Sequence, residues 1–284
     1  MLDLLAIGAG YSVRPLIEAA ARASQRVAAT THDASKAAEM HASGIEPLLW
    51  AAPDALPTAP ARTVIVSVPP NEDGCPALAA MPPGALEGAR VLYLSSSGVY
   101  GDHGGAWIDE AADCRPGTDR GQRRLAAERA WQARATGEGA RLTLCRLAGI
   151  YGPGRNAVES LRGGTRGARA GLAQRVVKPG QVFNRIHRDD IVRGLRALLC
   201  ADDPPGIVNF ADDEPAPPQE VLAYAADLLG MTPPPLVSFE EAELSPMARS
   251  FYAENKRLRN DRLRGLIGPL LYPTYREGLA AMLV

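Results

Sequence analysis

Two glycines near the amino terminus are the first residues in the sequence whose spacing could serve to bind a ligand. Gly8 and Gly10 lie between the apolar run Leu2–Ile7, typical of a buried strand, and a helical pattern that starts at Val13. Glycine lets a backbone approach a diphosphate closely, and the first turn of a helix presents unpaired N–H groups to an anion. Pro15 suits that first turn because its missing N–H would have no partner there. The pattern predicts a diphosphate-binding turn, with Val13 in place of the third glycine of G-x-G-x-x-G.

The residues after the second predicted strand differ from those that usually bind a bare ribose. The carboxylate that binds the ribose 2′-hydroxyl of NAD stands about 20 residues beyond the glycines, and that count from Gly10 reaches Thr30 here. Hydroxyl, imidazole and ammonium groups follow it, and the nearest acid is Asp33. Such groups suit a 2′-phosphate, so we expect NADP to be bound in preference to NAD, through Thr31, His32 and Lys36. The alternative is that these residues only cap the next helix, and the two roles are compatible.

A second apolar run begins at Thr63 and predicts a buried strand that a pair of prolines stops. In parallel sheets of alternating strands and helices, ligands bind at the carboxyl ends of the strands. The residues expected to contact the cofactor at these ends and at the glycine turn are Gly8, Gly10, Tyr11, Ser12, Ser67, Val68 and Pro69.

A further strand, predicted over Arg90–Ser95, leads into a segment rich in hydroxyl groups, Ser-Ser-Ser-Gly-Val-Tyr-Gly, that ends at Gly101. This segment resembles the one after the fifth strand in the extended short-chain dehydrogenase/reductases, a family of nucleotide-sugar epimerases and dehydratases. The segments Arg146–Arg155, Phe183–Ile191 and Asn209–Asp212 resemble three later motifs of the same family. The resemblance extends in register over about residues 1–230.

The resemblance implies a role for Ser96. In the family, the hydroxyl three residues before the valine of V-Y-G helps to bind and polarise the reacting oxygen of the substrate, and Ser96 occupies that position. Ser97 and Tyr100 are expected to border the substrate, with the ring of Tyr100 packed under the edge of the sheet as in relatives.

The sequence departs from the family at its catalytic pair. Standard members carry Y-x-x-x-K on the helix after the fifth strand, with a glutamate four residues past the lysine. Glu128 fits that glutamate, which places Arg124 at the lysine and Arg120 at the tyrosine. An arginine stays charged and cannot replace a tyrosine that shuttles a proton. Arg124 is expected to bind the nicotinamide ribose as a donor, and the chain resembles the atypical members that lack the pair.

Three other side chains are candidates to supply the proton: His103, His187 and Tyr151. An unperturbed histidine has a pKa near 6.5, which suits proton transfer. The alternative for each is a hydrogen bond that only holds a loop, and it is the favoured interpretation.

Arginines of the second half of the chain could bind an anionic part of the substrate. Arg155 and Arg185 are the candidates, with Arg162, Arg166 and Arg169 in a segment rich in arginine and glycine. The same segment could suggest nucleic-acid binding, but no aromatic residues are interleaved to stack on bases. A small-molecule substrate is therefore expected, and no nucleic acid.

Composition excludes several classes of protein. The 284 residues carry 31 Lys plus Arg against 32 Asp plus Glu, a balance that argues against general binding to nucleic acid or membranes. The four cysteines form no C-x-x-C pair, so neither a zinc site nor a disulfide framework is predicted. No apolar run approaches the roughly 18 residues that span a bilayer. With no signal-peptide pattern at the amino terminus, a soluble cytoplasmic protein is expected.

These elements together predict an α/β fold, a doubly wound parallel Rossmann-type sheet with a smaller C-terminal α/β lobe for the substrate. The large domain is expected over residues 1–153, joined again by 183–210, and the smaller lobe over 154–284. The resemblance implies an NAD(P)-dependent oxidoreductase or epimerase acting on a small polar carbonyl or sugar-like molecule. The alternative is a redox-sensing or regulatory protein that binds NADP(H) without turnover. Relatives often form homodimers through the helix that holds Trp131, and the altered helix leaves the oligomeric state open.

Overall fold

The apolar run at the amino terminus forms an interior strand of a seven-stranded parallel sheet. The computed structural model describes residues 1–57, 60–163 and 174–283. In chain order the strands are β1 (Leu2–Ile7), β2 (Val27–Thr31), β3 (Glu46–Leu49), β4 (Ala61–Val66), β5 (Arg90–Ser96), β6 (Trp107–Ile108), β7 (Arg141–Leu147), β8 (Gly149–Tyr151), β9 (Arg175–Val177), β10 (Arg185–His187), β11 (Ile207–Phe210), β12 (Leu236–Ser238) and β13 (Arg257–Leu258). The helices are α1 (Arg14–Arg22), α2 (Ala34–Ala42), α3 (Pro76–Ala79), α4 (Asp119–Gly137), α5 (Ala157–Leu161), α6 (Arg188–Cys200), α7 (Pro218–Leu228), α8 (Pro246–Ser250), α9 (Asp261–Ile267) and α10 (Tyr275–Ala280).

The large sheet has the strand order β3-β2-β1-β4-β5-β7-β11. Along the chain, β2 and β3 are added on one side of β1, and β4 is then added on the other side. Such a reversal opens a crevice at the carboxyl ends of the two strands on either side of it. The register pairs Ile7 with Val66, and Val66 with Tyr93, so the residues after β1 and β4 leave the sheet side by side. The predicted Rossmann-type fold is confirmed.

The first of two compact units comprises Met1–Val99, Asp119–Arg146 and Val192–Val208. Its core includes the ring of Tyr93 on β5 stacked on that of Trp131 on α4, with the ring centroids 5.8 Å apart. Both side chains are fully buried. The helix α4 therefore lies against the sheet through the face that carries Trp131.

The second unit comprises Tyr100–Thr118, Leu147–Ile191 and Asn209–Val284. Three two-stranded parallel ladders lie in it: β8 with β10, β9 with β12, and β6 with β13. One apolar cluster joins α5, α7 and α10 through Val158, Ala225 and Leu279. The division differs from the boundary expected at residue 153, because the segment 100–118 and the strand β8 already belong to the second unit.

The described part of the chain contains no helix able to span a membrane, no metal-ligand cluster and no disulfide. None of the helices in it combines the length and the apolar character needed to cross a bilayer. Among the same residues, no group of three or more His, Cys, Asp or Glu side chains is arranged to hold a metal ion. All four cysteines carry free thiols.

Candidate functional site

The glycine turn after β1 is held by the two strands next to it. The N–H of Gly8 donates to Thr30 Oγ1 at the end of β2 (2.8 Å), and Ser67 Oγ, after β4, donates to the carbonyl oxygen of Gly8 (2.7 Å). Gly8 has φ +91°, and a Cβ on it would lie 2.6 Å from Ser67 Oγ. Only glycine fits this position, for reasons of both backbone conformation and space.

The turn presents N–H groups at the start of α1. Within residues 1–57, 60–163 and 174–283, no hydrogen bond is found from the N–H groups of Ala9, Gly10 or Ser12, whereas the N–H groups of Val13 and Arg14 donate to the carbonyl of Gly10. A Cβ on Gly10 would meet nothing within 4 Å. Open space in front of unpaired donors at a helix N-terminus fits a diphosphate group.

The neighbours of the two glycines have different surroundings. Ser12 is buried and Tyr11 is partly exposed. Val13, at the position of the missing third glycine, is completely buried. Its side chain fills core space that a glycine would leave open, and α1 nevertheless begins at the expected place.

The end of β2 combines a helix cap with exposed polar groups. Asp33 is the N-cap of α2 and accepts hydrogen bonds from the N–H groups of Ser35 (2.9 Å) and Lys36 (3.3 Å). The hydrogen bond from the Ser35 hydroxyl is the main cause that lowers the pKa of Asp33. Thr31 Oγ1 accepts from the N–H of Asp33 (3.2 Å), and the side chains of His32 and Lys36 are exposed. The capping role predicted as an alternative is confirmed for Asp33.

At the end of β4, Ser67 and Val68 lie directly against the glycine turn. Their nearest atoms are 2.6 Å and 3.2 Å from the position of a Cβ on Gly8. Ser67 and Val68 are partly exposed, and Pro69 is exposed. These residues and the turn after β1 thus form one continuous surface at the carboxyl edge of the sheet.

Adjacent serines at the end of β5 have different roles. Ser95 is buried and donates to Glu128 Oε1 on α4 (2.5 Å). Ser96, the last residue of the strand, is partly exposed, and its Oγ accepts from the N–H of Gly98 (3.2 Å). Ser97 begins the following short 3-10 turn and is partly exposed. Ser96 and Ser97 are therefore the hydroxyl groups of this segment that remain open to a ligand.

Glu128 forms a buried ion pair with Arg146 of β7. Arg146 donates from Nε to Oε1 (3.2 Å) and from Nη2 to Oε2 (2.8 Å), a bidentate arrangement. The two side chains are only 5% and 1% exposed. The pair joins α4 to β7 beside Ser95, so Glu128 holds the helix rather than a ligand.

Arg124 lies one turn before Glu128, where the family has its lysine. Its Nη1 donates to Tyr93 OH (3.1 Å) and to the carbonyl oxygen of Leu94 (3.1 Å). Burial raises the pKa of Tyr93 to about 12, against the opposing effect of the Arg124 charge. The guanidinium is thus bound by β5 of its own unit, while Arg120, predicted to stand at the position of the family's tyrosine, is exposed.

In the second unit, His103 is held by hydrogen bonds on both ring nitrogens. Its Nε2 lies 3.2 Å from the carbonyl oxygens of Tyr100 and Asp113, and its Nδ1 lies 3.1 Å from Arg115 Nη2. Carbonyls only accept and arginine only donates, so these partners assign the ring hydrogen to Nε2. The loop-holding role favoured for His103 agrees with this geometry.

Tyr100 is buried, and its hydroxyl is hydrogen-bonded within the second unit. It is fully buried, and its hydroxyl donates to Asn209 Oδ1 (2.7 Å). The structure thus places the Tyr100 hydroxyl on a neighbouring side chain of the second unit rather than on an exposed surface.

Tyr151 and His187 lie together, on the paired strands β8 and β10. Their rings make an edge-on contact with centroids 5.2 Å apart, and the ring of His187 lies 3.9 Å from that of Tyr272. Burial raises the pKa of Tyr151 and lowers that of His187. His187 Nδ1 accepts from the N–H of Asp189, and its buried Nε2 has no hydrogen-bond partner among the residues that the structure describes. Both groups are therefore held in their neutral forms.

The two candidate anion-binding arginines differ in exposure. Arg155 is exposed, in the turn after β8. Arg185, in the second unit, is partly exposed, and its Nη1 donates to the carbonyls of Phe183 (2.9 Å) and Ala216 (3.1 Å). Arg162 is exposed and pairs with Glu159 (3.5 Å), whereas Arg166 and Arg169 lie outside the described residues.

The strand order and the glycine turn define the class: a Rossmann-type α/β protein with the architecture of a short-chain dehydrogenase/reductase. Comparison with known proteins agrees. A family model described as the NAD dependent epimerase/dehydratase family matches residues 76–211. A comparison with curated protein sequences finds no match.

Several solved structures resemble the whole chain. A conserved protein of unknown function from Silicibacter pomeroyi DSS is 42% identical, with a TM-score of 0.86, over 100% of this chain and 98% of that one. MoeE5 in complex with UDP-glucuronic acid and NAD is 21% identical (TM-score 0.73; 98% and 96% covered). DesIV, the dTDP-glucose 4,6-dehydratase from Streptomyces venezuelae, solved with NAD and TYD, is 17% identical (TM-score 0.75; 98% and 95% covered). Residues 76–211 thus match the model of this family, and the whole chain shares the fold of these solved structures.

Sequence reasoning missed two parts of this arrangement. The bond from Gly8 to Thr30 gives that threonine a structural role, and no local pattern indicates it because the partners are 22 residues apart. The interior surroundings of Arg185, which include Tyr252 and Tyr275, were not predicted either. The hydropathy of a single tyrosine gives no signal of the cavity that it will line.

Proposed function

We propose that the chain is an enzyme that binds NADP at the glycine turn and transfers a hydride to or from a small polar carbonyl or sugar-like substrate. The observation that carries the proposal is the position of Gly8, fixed between Thr30 and Ser67 with unpaired N–H groups immediately after it. A backbone cradle of this kind fits the diphosphate of a dinucleotide. The family supports the same reaction class.

When bound, the nicotinamide supplies the hydride donor or acceptor. The chain provides binding and orientation. Gly10, Tyr11 and Ser12 line the diphosphate, and Val68 and Pro69 border the adjoining surface. Ser96 donates its hydroxyl hydrogen to the substrate oxygen, which stabilises negative charge that develops there. Since its Oγ already accepts from the N–H of Gly98, the hydroxyl hydrogen is directed away from that donor.

The preference for NADP rests on the end of β2. Lys36 and His32 are exposed there, beside the N-terminus of α2, and both suit a 2′-phosphate. Asp33 accepts three hydrogen bonds from Ser35 and Lys36, all on Oδ1, so this oxygen of the carboxylate already serves the cap of α2. MoeE5 and DesIV were solved with NAD, so NAD is the competing cofactor.

A sugar-like substrate is supported by the same structures, since MoeE5 was solved with UDP-glucuronic acid. The test follows NADPH absorbance at 340 nm with a panel of small carbonyl compounds and nucleotide sugars. We expect turnover with one of them, and a loss of about a hundredfold or more for Ser96→Ala with NADPH affinity unchanged. Ser43→Ala, which changes an exposed serine after α2, is the matched control and keeps full activity. Failure of calorimetry to detect either nicotinamide nucleotide would overturn the proposal.

The environment of Arg124 favours a second function, binding of NADP(H) without turnover. Its guanidinium is bound to Tyr93 and Leu94, and the exposed Arg120 stands where the family has its tyrosine. A protein of this kind reports the redox state of the cofactor to a partner. The same assay separates the two functions. The sensor binds NADPH tightly and shows no turnover with any compound, and Ser96→Ala leaves its NADPH affinity unchanged.

A further inference from the structure

Tyr93 is a buried residue of the first unit whose hydroxyl has no role in the proposed function. Its ring is completely buried where β5 meets α4, and it stacks on Trp131 with the ring centroids 5.8 Å apart. Within the ranges that the structure describes, the hydroxyl makes one hydrogen bond, which it accepts from Arg124 Nη1 (3.1 Å). Because packing fixes the ring, the hydroxyl is a rigid acceptor for the guanidinium.

Two acceptors hold one nitrogen of Arg124 and leave the rest of the guanidinium unbonded. Nη1 also donates to the carbonyl oxygen of Leu94 (3.1 Å). Across the three described ranges of the chain, Nε and Nη2 donate no hydrogen bond and no carboxylate pairs with Arg124. Glu128, one turn along α4, is paired with Arg146. Arg124 is partly exposed, so three N–H donors on Nε and Nη2 are available to a ligand.

The register of the sheet places this guanidinium at the edge that carries the glycine turn. Tyr93 pairs with the last residue of β4, which pairs with the last residue of β1. Leu94, the next residue of β5, therefore lies beside Ser67, which holds the glycine turn. Adjacent strands are about 4.8 Å apart, so two strand spacings, about 10 Å, separate the turn from the carbonyl that holds Arg124.

The strand order assigns this position to one half of a bound dinucleotide. In the proposed function, the 2′-phosphate lies at the end of β2 and the diphosphate at the turn after β1. Since β2 and β4 lie on opposite sides of β1, the other half of the molecule extends across the ends of β4 and β5. The group next to the diphosphate in that half is the nicotinamide ribose. Its hydroxyl oxygens are acceptors, which the unbonded N–H groups of Arg124 require.

We propose that Tyr93 is a positioning residue for the nicotinamide half of the cofactor. Its hydroxyl holds Arg124 at the edge of the sheet, and Nε and Nη2 of Arg124 donate to the hydroxyl groups of the nicotinamide ribose. The inference rests on the proposed function for the location of the cofactor, but it requires no turnover. An arginine side chain has many rotamers, and fixing it on a ligand ordinarily costs entropy. Tyr93 and Leu94 fix the guanidinium before the cofactor binds, which lowers that cost.

The test compares two ligands by calorimetric titration of the full chain. NADPH contains the nicotinamide ribose, whereas adenosine 2′,5′-bisphosphate carries the 2′-phosphate and lacks the nicotinamide half. Tyr93→Phe keeps the packed ring and removes the hydroxyl, so we expect NADPH affinity to fall about fivefold and that for the bisphosphate to stay within about twofold. Unchanged NADPH affinity, or equal weakening of both ligands, overturns the proposal, because a tyrosine that only stabilises the fold does not distinguish them.

A double variant shows whether Tyr93 acts through Arg124. Arg124→Met removes the guanidinium and weakens NADPH binding about tenfold or more. If the tyrosine acts only by holding this guanidinium, adding Tyr93→Phe to Arg124→Met causes no further loss. A second loss of about fivefold in the double variant contradicts the positioning role.

Thr143→Val is the matched control in the same unit. Thr143 is completely buried in the amino-terminal half of β7, away from the carboxyl edge of the sheet, and its hydroxyl donates to the carbonyl oxygen of Pro205 (2.9 Å). The variant loses a buried hydrogen bond and keeps wild-type affinity for both ligands.

The titrations of the unaltered chain separate this inference from the proposed function. Binding of neither NADPH nor NADH overturns both. Binding of NADPH with no selective effect of Tyr93→Phe overturns the positioning role alone. If NADH binds in place of NADPH, the same comparison is made between NADH and adenosine diphosphate, and the same outcomes decide it.

Discussion

The side-chain hydroxyl of Ser67 donates a hydrogen bond of 2.7 Å to the carbonyl oxygen of Gly8, although 59 residues separate the two. This bond fixes the first turn of the fold to the end of a neighbouring strand. It also explains why the two glycines of the turn differ in what they tolerate, since a Cβ on Gly8 meets Ser67 Oγ at 2.6 Å and a Cβ on Gly10 meets nothing within 4 Å.

The first prediction therefore compares Gly8→Ala with Gly10→Ala. Gly8→Ala should lower the free energy of unfolding by about 2 to 4 kcal/mol, because a positive φ and a close contact both act against it. Gly10→Ala should change it by less than about 0.5 kcal/mol, yet weaken NADPH binding tenfold or more, because the methyl group occupies the approach to the diphosphate. Urea denaturation and calorimetry measure the two quantities. Equal stability of the two variants would show that Ser67 does not constrain the turn.

The second prediction concerns the buried pair of Glu128 and Arg146. Glu128→Gln removes the negative charge that faces the buried guanidinium of Arg146 and should cost about 3 to 5 kcal/mol of unfolding free energy. Adding Arg146→Met should restore part of this loss, because no buried charge remains. Glu159→Gln, in the exposed pair with Arg162, is the control and should cost less than about 1 kcal/mol. A double variant less stable than Glu128→Gln would contradict the reasoning.

The third prediction tests cofactor selection. Lys36→Ala should weaken NADPH binding about tenfold through loss of a charge-assisted contact to the 2′-phosphate, and change NADH binding less than about twofold. Arg62→Ala is the matched control, since Arg62 is an exposed cation at the amino-terminal end of β4, whereas the proposed cofactor surface lies at the carboxyl ends of the strands. Equal effects of Lys36→Ala on both nucleotides would favour NAD as the natural cofactor.

The fourth prediction concerns stability at high pH. Burial raises the pKa of Tyr93 from 10.0 to about 12, so the folded protein keeps the phenol proton over a range in which the unfolded chain loses it. The contribution of the buried, protonated phenol to the free energy of unfolding is fully present below pH 10 and is lost as the pH rises through 12. The loss amounts to about 2 to 3 kcal/mol for this residue.

Tyr93→Phe should therefore be less stable than the wild type at pH 8, where it lacks the bond to Arg124, and should lose less stability between pH 10 and pH 12. Thermal unfolding followed by circular dichroism across this range measures both effects. Parallel pH profiles of the two proteins would contradict the assigned shift.

The sequence predicts the first unit well where local pattern decides the structure. The run Leu2–Ile7 and the glycines after it are confirmed as β1 and its turn, and the helix predicted to carry Arg124 and Glu128 is confirmed as α4. Strand period, turn glycines and helix spacing are properties of neighbouring residues. They can be read without knowledge of the rest of the chain.

Contacts between residues far apart in the sequence cannot be predicted from such local patterns. Glu128 was placed by comparison with the family, but its partner Arg146 lies on another element, and the partners of Arg124 lie on β5. The short strands β6 and β13 have two residues each and pair with one another, so neither carries a periodic signal of its own. The surroundings of Tyr275 likewise exist only after the second unit has assembled.

Pro47 in β3 has a consequence for how the protein behaves towards copies of itself. The N–H of Trp50 donates to the carbonyl of Thr31 on β2, so alternation along the strand turns the nitrogen of Pro47 outward. Since β3 ends the sheet, that outward side would otherwise offer donors to a strand from another molecule. Pro47, which has no N–H, interrupts the row of donors on this four-residue edge strand, and this protects the sheet from edge-to-edge aggregation.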